Sequence, residues 1–140
     1  MKTPIVTLFG LLLINFVSEA YGCVCPKISK YEHWCDAEFA LRGTVIMVIR
    51  KKDCGNPEVM YKVEVKDNFF KLQKKMNKII KIRSPVNSCD PRLEIGSEYL
   101  ISGKLRGGFY YTDNCLFNQK WQTLSKDDKR EFERGTFNQC

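Results

Sequence analysis

Short runs of branched and apolar residues, cut by turn residues, recur along most of this sequence. Val59, Tyr61, Val63 and Val65 alternate with Met60, Lys62, Glu64 and Lys66. A period of two puts successive side chains on opposite faces, which predicts a half-buried strand. Ala37 to Lys51 is rich in branched residues around positions 43–49 and ends at Asp53-Cys54-Gly55-Asn56-Pro57, a strand running into a turn. Residues 78–83 form a third strand, stopped by Ser84-Pro85, and residues 98–104 a fourth. Gly107-Gly108 then turns the chain into a fifth strand at 109–112. Five short strands with turn signals predict a small antiparallel barrel, whose closure removes the edges that invite aggregation.

Helical signals lie at the two ends. Ser125 can cap a helix from Lys126 to about Arg134, with Asp127 and Asp128 in the electropositive first turn and Gly135 as its stop. A second helix is expected somewhere within Tyr31–Leu41. The apolar run Ile5–Val17 is of another kind. It follows the positive Lys2, has no polar face, and leads to Ala20-Tyr21-Gly22, with small residues at −3 and −1 of a cut before Cys23. That layout predicts a signal peptide over residues 1–22 and a mature chain of one domain over 23–140. The run is short for a membrane span, and no other stretch is long enough, so a secreted, extracellular product is expected.

Seven cysteines change the picture further, because Cys23, Cys25, Cys35, Cys54, Cys89, Cys115 and Cys140 all fall in the mature part. In an oxidising compartment they read as a disulfide framework with one left over. Six cysteines allow about fifteen pairings, and spacing does not choose among them. A metal site is poorly supported. No Cys-x-x-Cys pair occurs, and the single histidine, His33, has no second histidine to work with and reads as a surface or cap residue.

The net charge is +7, with basic clusters at Arg50-Lys51-Lys52 and across Lys71, Lys74, Lys75, Lys78 and Lys81. The plain reading is a solvated face; the alternative is a surface that attracts sulfated polysaccharides or acidic partners. Nucleic acid is not expected, since no aromatic residues interleave the basic run. An enzyme is not expected either: no Ser/His/Asp set, paired-carboxylate motif or phosphate loop is present. The sequence has no Asn-x-Ser/Thr site for N-glycosylation.

A cut directly before Cys23-Val24-Cys25 resembles the tissue inhibitors of metalloproteinases, in particular their N-terminal netrin-like domain. Cys35-Asp36-Ala37-Glu38 resembles the family's Cys-x-Ala-Asp/Glu at the first strand. Tyr99-Leu100-Ile101-Ser102-Gly103-Lys104 resembles its Tyr-Leu-Ile-x-Gly-Lys strand. Cys115-Leu116-Phe117 and Trp121-Gln122-Thr123-Leu124-Ser125 resemble its Cys-x-Phe and Trp-x-x-Leu-Ser segments. The resemblance covers the whole mature chain and implies a mainly β fold: a five-stranded OB-fold-like antiparallel barrel with a C-terminal helix, stapled by disulfides.

By the family's pairing the bridges are Cys23–Cys89, Cys25–Cys115 and Cys35–Cys140, with Cys54 unpaired or joining two molecules. The resemblance also implies the activity, inhibition of matrix-type zinc metalloproteinases. The Cys23 amine and carbonyl would chelate the target's catalytic zinc, with Val24 in its specificity pocket. Cys25 and Pro26 would complete the wedge, and Val86, Asn87 and Ser88 would lie beside it. The protein would need no cofactor of its own, since the zinc belongs to the target.

Three features depart from the family. Val24 stands where threonine or serine is usual, and Pro26 comes one place early. The sequence also stops at Cys140, so the family's second, cysteine-rich domain and its functions are not expected. The competing function is a non-inhibitory netrin-like module binding heparin or a matrix protein. Such modules usually carry residues ahead of the first cysteine, which block chelation.

Overall fold

A single long strand organises the fold. β1 (Phe39–Lys51) pairs with β2 (Glu58–Asn68) along residues 41–51 and, through residues 39–44, with β4 (Glu98–Arg106) on its other edge. Two register shifts, between Arg42 and Gly43 and between Val45 and Met47, bend β1 enough to serve both partners. The computed structural model describes residues 22–52, 55, 57–68 and 77–134. Outside them lie residues 1–21 of the expected signal peptide, Cys54, Lys71, Lys74, Lys75, Gly135 and Cys140.

β3 (Ile79–Ser84) pairs antiparallel with β2, and β5 (Phe109–Tyr111) pairs antiparallel with β4. The cylinder closes where β3 meets β5, at Ile82–Tyr110 and Arg83–Tyr111. That joint is parallel, the one departure from the antiparallel barrel expected from the pattern. It follows from the topology: β3 and β5 are not consecutive, so no hairpin fixes their relative direction. The turn between β4 and β5 falls as expected at Gly107 and Gly108, whose φ of 56° and 82° suit a tight hairpin turn.

The barrel interior is filled by Phe39, Leu41, Val45, Val59, Tyr61, Val63, Ile80, Ile82, Leu93, Tyr99 and Ile101. A second cluster covers the outside of the β1–β4 pair: Trp34, Ala40, Leu100, Trp121, Leu124 and Phe132. β4 is thus buried on both faces, which explains its unbroken Tyr-Leu-Ile run, whereas β2 keeps Lys62 and Glu64 on an outer face.

The second cluster holds the helices. α1 (Lys30–Asp36) begins earlier than expected because Ser29 caps it. The Ser29 hydroxyl accepts from Glu32 N at 3.1 Å, and Glu32 Oε2 accepts from Ser29 N at 2.6 Å. It also ends earlier: Ala37 is extended, and 39–41 belong to β1. His33 sits in the last turn of this helix, where a basic group suits the helix dipole. α2 (Lys126–Arg134) is capped by Ser125, which accepts from Asp128 N at 3.1 Å. Trp34 of α1 packs against Phe132 of α2 at 4.3 Å between ring centroids, and Lys30 pairs with Asp128 at 2.5 Å. No helix among the described residues is long and apolar enough to cross a membrane.

Candidate functional site at the disulfide-clamped terminus

Residues 23–29 form no helix or strand, and two bridges hold their start to the barrel. Cys23 is bonded to Cys89 and Cys25 to Cys115, with Cα separations of 5.0 and 5.1 Å. The bridges stand side by side. Cys23 Sγ lies 3.5 Å from Cys115 Sγ, and the sulfurs of Cys23, Cys25 and Cys115 all fall within 4.8 Å of one another. That grouping resembles a metal cluster, but every sulfur in it is consumed in a disulfide, so none is available as a thiolate ligand. Cys35 is also disulfide-bonded, and Cys140, the partner implied by the resemblance, lies outside the described residues.

The two receiving cysteines sit on separate loops, each built by local hydrogen bonds. β5 is followed along the same edge of β4 by a short strand, β6 (Asn118–Lys120), and Cys115 lies in the excursion between them. Asp113 Oδ1 accepts from Cys115 N at 2.9 Å. The Asn118 amide donates to the Asp113 carbonyl and to Thr112 Oγ1, both at 2.9 Å. The buried Thr112 hydroxyl in turn donates to Ser102 O at 2.8 Å. On the other loop, Asn87 Oδ1 accepts from Cys89 N at 2.9 Å, and the Asn87 carbonyl accepts from Asp90 N at 3.0 Å. Asn114 N donates to Cys89 O at 2.6 Å, which ties the loops together.

Beneath Cys89 is an arrangement that sequence reasoning missed. Asp90 is only 5% exposed, and its carboxylate accepts from the Tyr61 hydroxyl, from Arg92 N at 3.1 Å and from Arg50 Nη1 at 3.0 Å. Burial first, and the bond to Asp90 second, push the Tyr61 hydroxyl pKa far above its ordinary value. Arg92 adopts a φ of 53°, so the chain reverses within Asp90-Pro91-Arg92 and is held there by the carboxylate. The residue after Cys89 is thereby locked to a core residue of β2. Asp90-Pro91 is a turn-type dipeptide, but nothing in it marks the acid as buried.

The wedge residues differ sharply in exposure. Val24 is 90% exposed, which excludes a buried strand position and leaves a branched apolar side chain standing free beside two bridges. Pro26, Asn87 and Ser88 are also exposed, while Cys23 and Cys25 are half-buried. The structure therefore brings Cys23, Val24, Cys25 and the 87–89 loop into one ridge. Of the basic clusters, Arg50, Lys51, Lys52, Lys78 and Lys81 are exposed.

Comparison with known proteins gives one consistent result. The family model described as tissue inhibitor of metalloproteinase matches residues 21–140. Metalloproteinase inhibitor 2 of Canis lupus familiaris is 30% identical over 129 residues, covering 86% of this chain and 58% of that protein. The Homo sapiens protein of the same name is 30% identical over 128 residues with the same coverage. Metalloproteinase inhibitor 3 of Xenopus laevis is 25% identical over 129 residues, covering 88% of this chain and 58% of that protein. The chain thus spans a little over half the length of these relatives.

Proposed function

The chain belongs to the tissue inhibitor of metalloproteinase family, and we propose that it is a secreted inhibitor of matrix-type zinc metalloproteinases acting through a mature N-terminus at Cys23. Before cleavage the Cys23 nitrogen is an amide and cannot ligate a metal. A cut after Gly22 makes it a free α-amine on the same residue as a carbonyl oxygen. The two form a five-membered chelate on a catalytic zinc with an open position, displacing the water that would attack the substrate. The amine must be neutral to ligate, and its ordinary pKa of about 7.7–8.0 makes deprotonation inexpensive near neutral pH.

The observation that carries this reading is the double clamp with Val24 exposed beside it. A chelate formed by a frayed terminus would lose much of its binding free energy to ordering. Here Cys23 and Cys25 are both tied down, the receiving loops are joined at Asn114–Cys89, and Asp90 fixes one of them to the barrel. Val24 is presented outward between the bridges, where an apolar side chain can enter an apolar pocket. Asn87 and Ser88 flank the same ridge and contact the target on the other side of the zinc.

The test is to secrete the protein, determine the mature N-terminus by mass spectrometry, and titrate it against matrix metalloproteinase catalytic domains. A start at Cys23 with stoichiometric inhibition of at least one enzyme supports the proposal. A start at any other residue removes the chelating amine and overturns it.

A further inference from the structure

On the outer face of the barrel, a cleft of about 270 Å³ opens where the start of β2 meets the ends of β3 and β5. Its walls carry two arginines, each stacked on an aromatic ring. The Arg83 guanidinium lies 3.6 Å from the Phe109 ring centroid, and that of Arg106 lies 3.7 Å from the Tyr111 centroid. Stacking fixes the plane of a guanidinium and leaves its N–H edge for a planar anion. Pro57 and Pro85 line the rest of the cleft with apolar surface.

The arginines are only partly neutralised within the fold: of the two, Arg83 has an ion pair, with Glu58. Arg83 Nε is buried without a hydrogen-bond partner, its nearest carboxylate oxygen being Glu58 Oε2 at 3.6 Å. Glu58 also faces Lys51 at 3.8 Å, so one acid is shared between two cations. Tyr111 carries the Arg106 guanidinium on its ring and donates its hydroxyl to Asp113 at 3.1 Å. The lining thus carries two cations against the one acid Glu58, with a buried Arg83 N–H that has no hydrogen-bond partner.

We propose that this cleft is an accessory contact that receives an aspartate or glutamate side chain from the rim of the inhibited metalloproteinase. The inference rests on the inhibitory reading above. Position supports it: Pro85 lines the cleft and opens the loop that runs through Val86, Asn87 and Ser88 to the clamped Cys89. Size and lining support it too. The volume suits one side chain rather than a saccharide chain, and the proline walls suit an aliphatic stem.

The experiment compares the full secreted protein with R106Q and E58Q variants against the catalytic domain that the wild type inhibits most tightly. Inhibition constants are measured at about 50 mM and about 500 mM salt, where screening differs severalfold. R106Q is expected to weaken inhibition about fivefold at low salt, with the gap closing at high salt and the melting temperature unchanged. E58Q removes the internal competitor and is expected to tighten inhibition, an effect that misfolding cannot imitate. Unchanged constants in both variants overturn the proposal. So does a loss of retention on heparin resin by R106Q with inhibition intact, which assigns the cleft to a polysaccharide instead. No inhibition by the wild type overturns the inhibitory reading itself, and the two failures are thereby distinguishable.

Discussion

Replacing Tyr61 by phenylalanine isolates the bond that ties the Cys89 loop to the barrel. The ring fills the same space in the core, so cavity formation contributes nothing and only the hydroxyl is deleted. Asp90 keeps Arg92 N and Arg50 but loses its bond from the core side. A hydrogen bond to a charged, buried acceptor contributes about 1.5–3 kcal/mol. At roughly 4 °C per kcal/mol for a domain of this size, the melting temperature should fall by about 6–12 °C. The pH dependence supplies an independent readout. Because the folded pKa of Tyr61 is raised, its contribution is complete below the unfolded value of about 10 and is lost as pH rises through the folded value. The wild type should therefore lose stability above about pH 10, and Tyr61→Phe should lose less over the same range. Thermal unfolding by circular dichroism at pH 7 and pH 10.5 measures both. A fall under about 2 °C at pH 7, or identical alkaline sensitivity in the two proteins, would refute the assigned role of the Tyr61–Asp90 pair.

Val24→Gly should weaken metalloproteinase inhibition by tenfold or more while Lys52→Ala changes it little; equal losses in enzyme titrations would remove Val24 from the contact. Gly103→Ala should destabilise by about 1–3 kcal/mol in urea unfolding, because the added Cβ would meet the Phe39 ring at 2.5 Å and the Tyr111 carbonyl at the β4–β5 joint. The Glu32 carboxyl is held below its ordinary pKa, first by the backbone N–H of Ser29 and then by its hydroxyl. Its capping contribution is thus complete above the unfolded value and lost as pH falls through the lower folded one. Acid titrations of Glu32→Gln should show a shallower loss below about pH 4 than the wild type. Matching acid profiles would argue against the cap.

How much of this was legible in the sequence varied with the physics of each element. β2 was readable because one face is buried and the other wet, and that difference writes a period of two. β6 was not, since Asn118, Gln119 and Lys120 carry no strand preference and pair with β4 only because the chain after Cys115 returns to the same edge. The parallel joint between β3 and β5 is a relation between distant segments, which periodicity does not encode. Val24 and Asp90 escaped the pattern in opposite ways, one an apolar residue left outside and the other an acid drawn inside. Both departures from the usual partition sit at the clamped terminus. The bridges to Cys89 and Cys115 were expected from the family resemblance, not from spacing, and the structure contains both.

Central to the account is the free amine of Cys23, and one added residue tests it. A mature protein beginning with a single alanine ahead of Cys23 keeps the barrel, both bridges and Val24, but converts the amine to an amide and places a residue where the zinc must sit. Titrated beside the authentic protein against the same metalloproteinase, it should lose inhibition by at least about a hundredfold, since each tenfold corresponds to about 1.4 kcal/mol and a metal bond is removed. Equal potency of the two proteins would contradict chelation by the terminus.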